Sequence, residues 1–375
     1  MESYRLSSRV VENEKEFLIQ TANDVKLGVI RASLFVNGEL LDSSVVPHSE
    51  EIGEAEILEL VKTAHSEKKS ELEYLLKSFK EVVETDRPEQ MYYLGTALFC
   101  KRMYSEAQQL FRTAVKLRHD YHEAYFFLAQ TNMALHQVDE AINAAGKAIE
   151  LKPEYADYRN ILGEAYLEAE SCKRAVIEFE EAIKKNVYYA DAYFNLAITY
   201  ILNAIKKEDF ALFSDLSAKC LDLLGKAVLI YPDYQTPAYH EAAAALSGGD
   251  LKRALVLFRS VRDDNKDKRR QAKSSYFNRF LLYTEWISEN NIADRIAQLE
   301  RDIDRNPDYV DLYHELGVCH LQRAKFSWQK GQYYFEKALS INKNLEKARR
   351  ALDLSKEQFL KLSDTVADVS EKNSH

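Results

Sequence analysis

Pro153-Glu154-Tyr155-Ala156-Asp157-Tyr158 is one copy of a phrase that returns along this 375-residue chain: a turn, an acid and a tyrosine, then acid and tyrosine again. One step earlier it reads His119-Asp120-Tyr121-His122-Glu123-Ala124-Tyr125, and one step later Val187-Tyr188-Tyr189-Ala190-Asp191-Ala192-Tyr193. Pro232-Asp233-Tyr234 and Pro307-Asp308-Tyr309-Val310-Asp311-Leu312-Tyr313 continue it. The leading tyrosines Tyr121, Tyr155, Tyr189, Tyr234 and Tyr309 stand 34, 34, 45 and 75 residues apart. A period near 34 marks stacked supersecondary units, none able to bury its apolar face alone. Such an architecture points to a binding surface and leaves the partner unnamed.

Between the turns the periodicity is helical. In residues 122–155, Tyr125, Leu128 and Ala129 form one stripe, and Ala141, Ala145 and Ala148 form a second before Pro153 closes the unit. Apolar residues at i, i+3, i+4 and i+7 predict a helix with one buried face. Small alanines let two antiparallel helices approach, and proline cannot continue the second. Residues 88–121 repeat the scheme with Met91, Leu94, Gly95, Leu98, Ala107, Phe111 and Ala114. Residues 156–189 repeat it with Leu162, Gly163, Tyr166, Ala175, Phe179 and Ala182.

This pattern resembles the tetratricopeptide repeat, whose units carry Leu-Gly or Leu-Ala in the first helix and Ala, an aromatic and Ala in the second, with a closing Pro. The resemblance covers residues 88–345 and implies a right-handed α-solenoid of about seven helix-turn-helix units. Their expected spans are 88–121, 122–155, 156–189, 190–234, 235–275, 276–309 and 310–345. The fourth carries eleven extra residues within Leu202–Ser217. The fifth ends in the charged run Asp263–Arg270. The sixth puts Arg279, Arg295 and Asp302 where apolar residues belong, and the seventh returns to type with Tyr313, Leu316, Gly317, Phe335 and Ala338. Residues 346–369 are expected to form a capping helix that keeps the end of the stack soluble, followed by a polar tail, 370–375.

The first 85 residues differ in kind. Val29–Val36 and Glu39–Val46 are strand-like runs joined by Asn37-Gly38, a strong hairpin signal. A two-residue turn would pair Leu34 with Leu41, Ala32 with Ser43, Ile30 with Val45 and Phe35 with Leu40. Tyr4–Val11 and Phe17–Thr21 read as two more strands, giving a small antiparallel β module over residues 1–53. A long helix over residues 54–87, with Ile57, Leu60, Val61, Ala64, Leu72, Leu75, Leu76 and Phe79 on one side, is expected to cover that sheet and cap the first repeat.

The net charge is −9, and residues 1–85 hold 17 acids against 10 bases. This acidity argues against nucleic acid as the main ligand, since phosphate binding wants a basic stripe. Cys100, Cys172, Cys220 and Cys319 are scattered with no CxxC spacing, so they read as reduced thiols. Met-Glu-Ser-Tyr-Arg lacks an apolar signal core, and no apolar run reaches the length of a membrane span. A cytoplasmic protein without membrane insertion is expected.

No catalytic constellation stands out. There is no phosphate-binding glycine loop and no Gly-x-Ser-x-Gly elbow. His119 and His122 flank a turn, and His314, Cys319 and His320 are poorly spaced for a shared metal. No enzyme activity, metal or cofactor is expected. The resemblance supplies a candidate site instead, because the first helix of each repeat lines a concave groove. Carried over position by position, the groove holds Tyr92 and Phe99, Phe126 and Met133, then Asn160, Glu164 and Leu167. Phe194, Ile198 and Ile201 follow, then Tyr239, Phe280 and Ile287. The second position of each unit supplies an acidic edge of Glu89, Glu123, Asp157, Asp191 and Asp311. Such a surface would suit a basic or amphipathic protein segment. The alternative packs the same aromatics against neighbouring helices. Relatives that clamp chaperone tails use Lys, Asn and Arg where this chain has Tyr92, Thr96, Phe127, Asp157 and Ile161, and the asparagine ladder of sugar-transferring relatives is reduced to Asn195. The expected function is a non-enzymatic scaffold or adaptor, with an accessory subunit of an enzyme or secretion complex as the alternative.

Overall fold

The computed structural model describes residues 4–12, 15–49, 52–208, 210, 213–277, 289–305, 310–343, 345–356 and 358. Pro307-Asp308-Tyr309, Phe280, Ile287 and the tail 370–375 lie outside them. The chain divides into two compact units, Met1–Leu151 with Lys266–Thr284, and Lys152–Asn265 with Glu285–His375.

The first unit opens with a four-stranded antiparallel meander, β1 (Arg5–Glu12), β2 (Lys15–Asp24), β3 (Val29–Val36) and β4 (Glu39–Pro47), in the order β1-β2-β3-β4. Asn37 and Gly38 sit at φ 50° and 83°, the left-handed pair that a tight hairpin turn demands. Helix α1 (Glu54–Val83) covers the sheet, closing Ile57, Val61 and Ala64 over Ile30 and Ala32.

The β3–β4 register differs from expectation by one residue. Leu34 pairs with Asp42, Ala32 with Ser44 and Ile30 with Val46, while Phe35 does pair with Leu40. A β-bulge opposite Leu34/Phe35 leaves Leu41 without a partner. A one-residue slip moves side chains to the other face, so Leu41 and Asp42 are both buried and Val45 turns outward, 47% exposed.

Buried Asp42 becomes the centre of a charge quartet. Lys68 Nζ on α1 donates to Asp42 Oδ2 at 2.6 Å and to Glu71 at 3.2 Å. Lys101, which ends the first helix of the first repeat, pairs with Asp42 and lies 2.8 Å from Glu71 Oε1. Sheet, α1 and first repeat therefore share one buried site. Burial alone would raise the Asp42 carboxyl, but the charges and hydrogen bonds of Lys101 and Lys68 hold it well below its ordinary 3.8. Burial would raise Glu71 too, and Lys101 and Lys68 hold it below 4.5. Burial opposes the Lys68 charge, and Glu71 and Asp42 lift it above 10.5.

Helix pairs follow: α2 (Pro88–Cys100) with α3 (Tyr104–Leu117), and α4 (His122–Ala134) with α5 (Val138–Leu151). In the second unit α6 (Ala156–Glu168) pairs with α7 (Cys172–Lys185), and α8 (Ala190–Lys206) with α9 (Leu216–Ile230). After them come α10 (Pro237–Ser247) and α11 (Leu251–Phe277), then α12 (Glu289–Arg305) packed on α13 (Val310–Ile341). A final helix runs over 346–356, and the rest of the expected 346–369 cap falls almost wholly outside the described residues.

Each pair turns on one left-handed residue: Arg102, His136, Glu170, Lys207 and Gly249, at φ between 52° and 81°. The following N–H reaches back five residues, Met103 to Leu98, Gln137 to Asn132, Ser171 to Tyr166, Glu208 to Asn203 and Asp250 to Ala245. This is the Schellman closure, which satisfies carbonyls that a helix end leaves without partners. Where the paired helices cross, a Cβ on Gly95 would lie 2.7 Å from the Phe111 ring, and one on Gly163 2.6 Å from the Phe179 ring.

One expected repeat differs. In the expected 310–345 unit, Val310–Ile341 form one unbroken 32-residue helix, α13, and an added Cβ on Gly317 meets nothing within 4 Å. The stretch Arg323–Lys330 offers no glycine, asparagine or proline to stop it, so the two expected helices fuse. The fifth unit keeps its expected extent, with α11 running through the charged run Asp263–Arg270 to Phe277.

These contacts predict opposite signs for one substitution. Gly163→Ala should lose about 1–3 kcal/mol through overpacking against the buried Phe179 ring. Gly317→Ala, in an exposed helix interior, should gain about 0.5–1 kcal/mol. Thermal melts of the two variants decide it, and equal shifts would remove the distinction between crossing and free helix.

The quartet predicts a pH window. Carboxylates depressed on folding contribute above their unfolded values and lose that contribution as pH falls through them; a raised lysine contributes below its unfolded value and loses it above. Lys101→Met, leaving two buried acids with one cation, should cost about 3–5 kcal/mol near neutrality. The difference in melting temperature from wild type should be full between about pH 5 and pH 9, and shrink below about pH 4.

Candidate partner-binding surface

The expected groove residues separate into a buried set and a half-exposed set. Tyr92 is covered by the tyrosine that closes its own repeat, Tyr121, at 5.1 Å, and by Phe127 at 5.7 Å. In the second unit the ring of Phe194 stacks on Tyr234 at 4.3 Å and 19°, with Phe258 edge-on at 5.9 Å. Ile198 and Ile201 are wholly buried with it, and Tyr239 lies 5.8 Å from Phe258. Phe194, Ile198, Ile201 and Tyr239 are therefore core, not open floor. The physical reason is the recurring tyrosine, which folds back on its own first helix and takes the place assigned to a ligand.

The acidic edge is engaged too. Glu89 accepts from Arg118 Nη1 at 2.6 Å, and Arg118 lies over the Tyr121 ring at 3.4 Å. Glu123 lies 3.4 Å from His122 Nε2. Asp157 accepts from the Tyr158 N–H at 3.0 Å, and Asp191 accepts from the Tyr234 hydroxyl. Asp311 has a described backbone only, within α13.

Asn160 and Glu164 join a buried network. Asn160 Nδ2 donates to Glu164 Oε1 at 2.9 Å, and Asn195 Nδ2 donates to both Glu164 Oε1 and Asn160 Oδ1, at 3.0 and 3.1 Å. Arg262 on α11 belongs to the same environment. Burial opposes its charge, and Asp263 and Glu164 overcome that to hold it above its ordinary value. Leu167 is buried as well. These residues hold the second unit together.

What stays half-exposed is a face of the first unit: Phe99 on α2, with Phe126 and Met133 on α4. Phe99 lies 5.7 Å from Phe127, and Phe127 lies 5.5 Å from Phe126, so the rings form one connected aromatic cluster. Successive first helices carry equivalent positions, which is why Phe99 and Met133 share a face one repeat apart.

One contact has no counterpart in the sequence reading. Asp267 on α11 pairs with Arg102, the left-handed residue of the α2–α3 turn, and with Arg270 Nη2 at 2.9 Å. Arg270 Nη1 donates to the Cys100 carbonyl at 3.0 Å. The only sequence signal was charge: Lys266–Thr284 holds six bases and one acid, while Met1–Leu151 holds 25 acids and 17 bases.

Among the described residues, no group of three or more His, Cys, Asp and Glu side chains is placed to hold a metal ion. His119 Nδ1 faces the Val115 carbonyl at 3.1 Å rather than His122. The four cysteines are buried thiols outside any disulfide, and burial pushes the Cys220 thiol up to about 12. No described helix is long and apolar enough to cross a membrane.

Residues 129–186 match the family described as tetratricopeptide repeat, and residues 72–148 match the family described as Anaphase-promoting complex, cyclosome, subunit 3. The chain carries tetratricopeptide repeats. No curated protein matches it. Among solved structures it is similar to a thermophilic tetratricopeptide-repeat protein of Thermus thermophilus, 17% identical over 63% of this chain and 100% of that one, with a TM-score of 0.35. MamA of Desulfovibrio magneticus RS-1 is 19% identical over 49% of this chain and 99% of its own, with a TM-score of 0.37. YrrB, a repeat protein titled as having an unusual peptide-binding site, is 14% identical over 53% and 97%, with a TM-score of 0.35. At these TM-scores the likenesses carry no argument.

The two sets should respond differently to truncation. Phe194→Ala should cost about 3–5 kcal/mol, as a buried ring does, whereas Phe126→Ala should cost about 1 kcal/mol or less. Urea unfolding measures both, and a Phe194→Ala protein as stable as wild type would return Phe194 to the surface.

Proposed function

From the tetratricopeptide repeats of this chain, we propose that it is a non-enzymatic protein-interaction scaffold or adaptor whose partner segment lies across α2 and α4. The observation that carries this is selective exposure. Phe99, Phe126 and Met133 stay half-exposed while equivalent positions farther along the chain are buried. Large aromatics and methionine held open by a rigid scaffold are the usual anchors of an interface. An amphipathic segment, with its apolar side on these rings, suits this face. A cytoplasmic setting accords with four buried thiols outside any disulfide, since a reducing compartment keeps thiols reduced. The β module, joined to the first repeat by the charge quartet, is a second docking or regulatory element next to that face.

A second reading, a subunit of a larger assembly with any catalysis in another chain, is favoured by the match of residues 72–148 to an assembly-subunit family. Paired affinity captures from cell extract separate the two. A Phe126→Ala/Met133→Ala protein that melts like wild type should lose a directly bound segment by about thirtyfold in affinity, the effect of removing an interface anchor worth about 2 kcal/mol. Stoichiometric co-purification of a catalytic subunit, unchanged by the double substitution, would favour the assembly reading and sink the α2/α4 face.

A further inference from the structure

The end of α11 from Lys266 belongs to the same compact unit as Met1–Leu151, although the earlier part of that helix belongs to the other unit. It makes a specific contact rather than a loose one. Arg270 Nη1 caps the Cys100 carbonyl, one of the last carbonyls of α2, which a helix leaves without an internal partner. A guanidinium there also meets the negative end of the helix dipole. Asp267, three residues earlier on the same face of α11, is held by Arg270 and reaches Arg102 on the turn. Arg102 is fixed in turn, because it occupies the left-handed turn position and its Nη1 faces the Leu40 carbonyl at 3.4 Å. Tyr104 borders the same contact, its hydroxyl raised by burial against the opposing charges of Arg270 and Arg102.

We propose that the α2–α3 turn is a docking site for a basic helix carrying an Asp-x-x-Arg pair, and that Lys266–Phe277 of this chain is its resident ligand. The turn supplies two complementary features, a carbonyl end that takes Arg270 and a cation that takes Asp267. Charge supplies long-range attraction, since the sequence of Met1–Leu151 carries 25 acids against 17 bases and that of Lys266–Phe277 is basic apart from Asp267. A partner presenting the same pair on a basic helix would compete with the resident segment. This site adjoins the Phe99, Phe126 and Met133 face, since Tyr104 lies 5.5 Å from Phe99. It uses the Cys100 carbonyl and Arg102 rather than the rings, so charge reversal at Arg102 tests it apart from Phe126→Ala/Met133→Ala.

The test uses the full chain and a fluorescent peptide of residues 262–277. In the Asp267→Arg/Arg270→Glu chain the resident contact is reversed in charge while the turn is intact. That chain should bind the added peptide at least tenfold more tightly than wild type, whose site is already filled, and a further Arg102→Glu should abolish the gain. As a second measurement, trypsin should cut within Lys266–Lys273 at least tenfold faster in Arg102→Glu than in wild type, and Arg102→Glu/Asp267→Arg should restore protection. Equal peptide binding by wild type and variant, or no binding by either, would overturn the docking site. Tryptic cleavage of wild type as fast as Arg102→Glu would overturn residence.

Discussion

Everything in the repeats depends on two helices crossing where there is no room for an extra carbon. Gly95 accepts the Phe111 ring, and Gly163 accepts the Phe179 ring. The corresponding positions of the second repeat hold Ala129 and Ala145, and those of the fourth hold Ala197 and Leu224, all buried. Where one helix presents nothing, the other presents an aromatic; where one presents a methyl, the other is aliphatic. Close packing leaves little tolerance for any other combination of volumes. The left-handed residue that follows each first helix sets the return angle, and four of the five are not glycine. Each therefore bears a strain of about 1–2 kcal/mol, tolerated because the crossing beyond it is fixed by packing.

A different kind of constraint joins the β module to the first repeat. Two carboxylates and two ammonium groups share a site that solvent barely reaches, and desolvation offsets much of their attraction. The observed register of β4 is what brings the Asp42 carboxylate to Lys101. The bulge at Leu41 and the quartet are thus one feature seen from two sides. His65 adds a polar tie at the other end of the sheet, between Thr21 Oγ1 and Ser8 Oγ at 3.0 Å each.

The same self-pairing explains why the candidate surface is small. A repeat has one tyrosine at its close and one ring in its first helix, and these satisfy each other at Tyr92–Tyr121 and Phe194–Tyr234. Acids at the second position find Arg118, His122 or the Tyr234 hydroxyl nearby. Among the expected groove residues, Phe99, Phe126 and Met133 are the apolar ones that this self-pairing leaves half-exposed.

Much of this was legible in the residues alone, because it is local. The 34-residue period, the stripes of α2 to α9, the Asn37-Gly38 turn and the covering face of α1 are set by side chains within a few turns of one another. What needed the tertiary structure was settled by residues far apart. A β-bulge has no signature in Leu40-Leu41-Asp42, yet it decides which of them is buried. Whether Phe194 is floor or core rests on Tyr234 and Phe258, which lie beyond an insertion of irregular length. Arg270 meets Cys100 across 170 residues, a pairing that no periodicity encodes. Periodicity reports which face of a helix is apolar; only the packed chain decides what covers that face, since the covering group is chosen by fit and not by sequence distance.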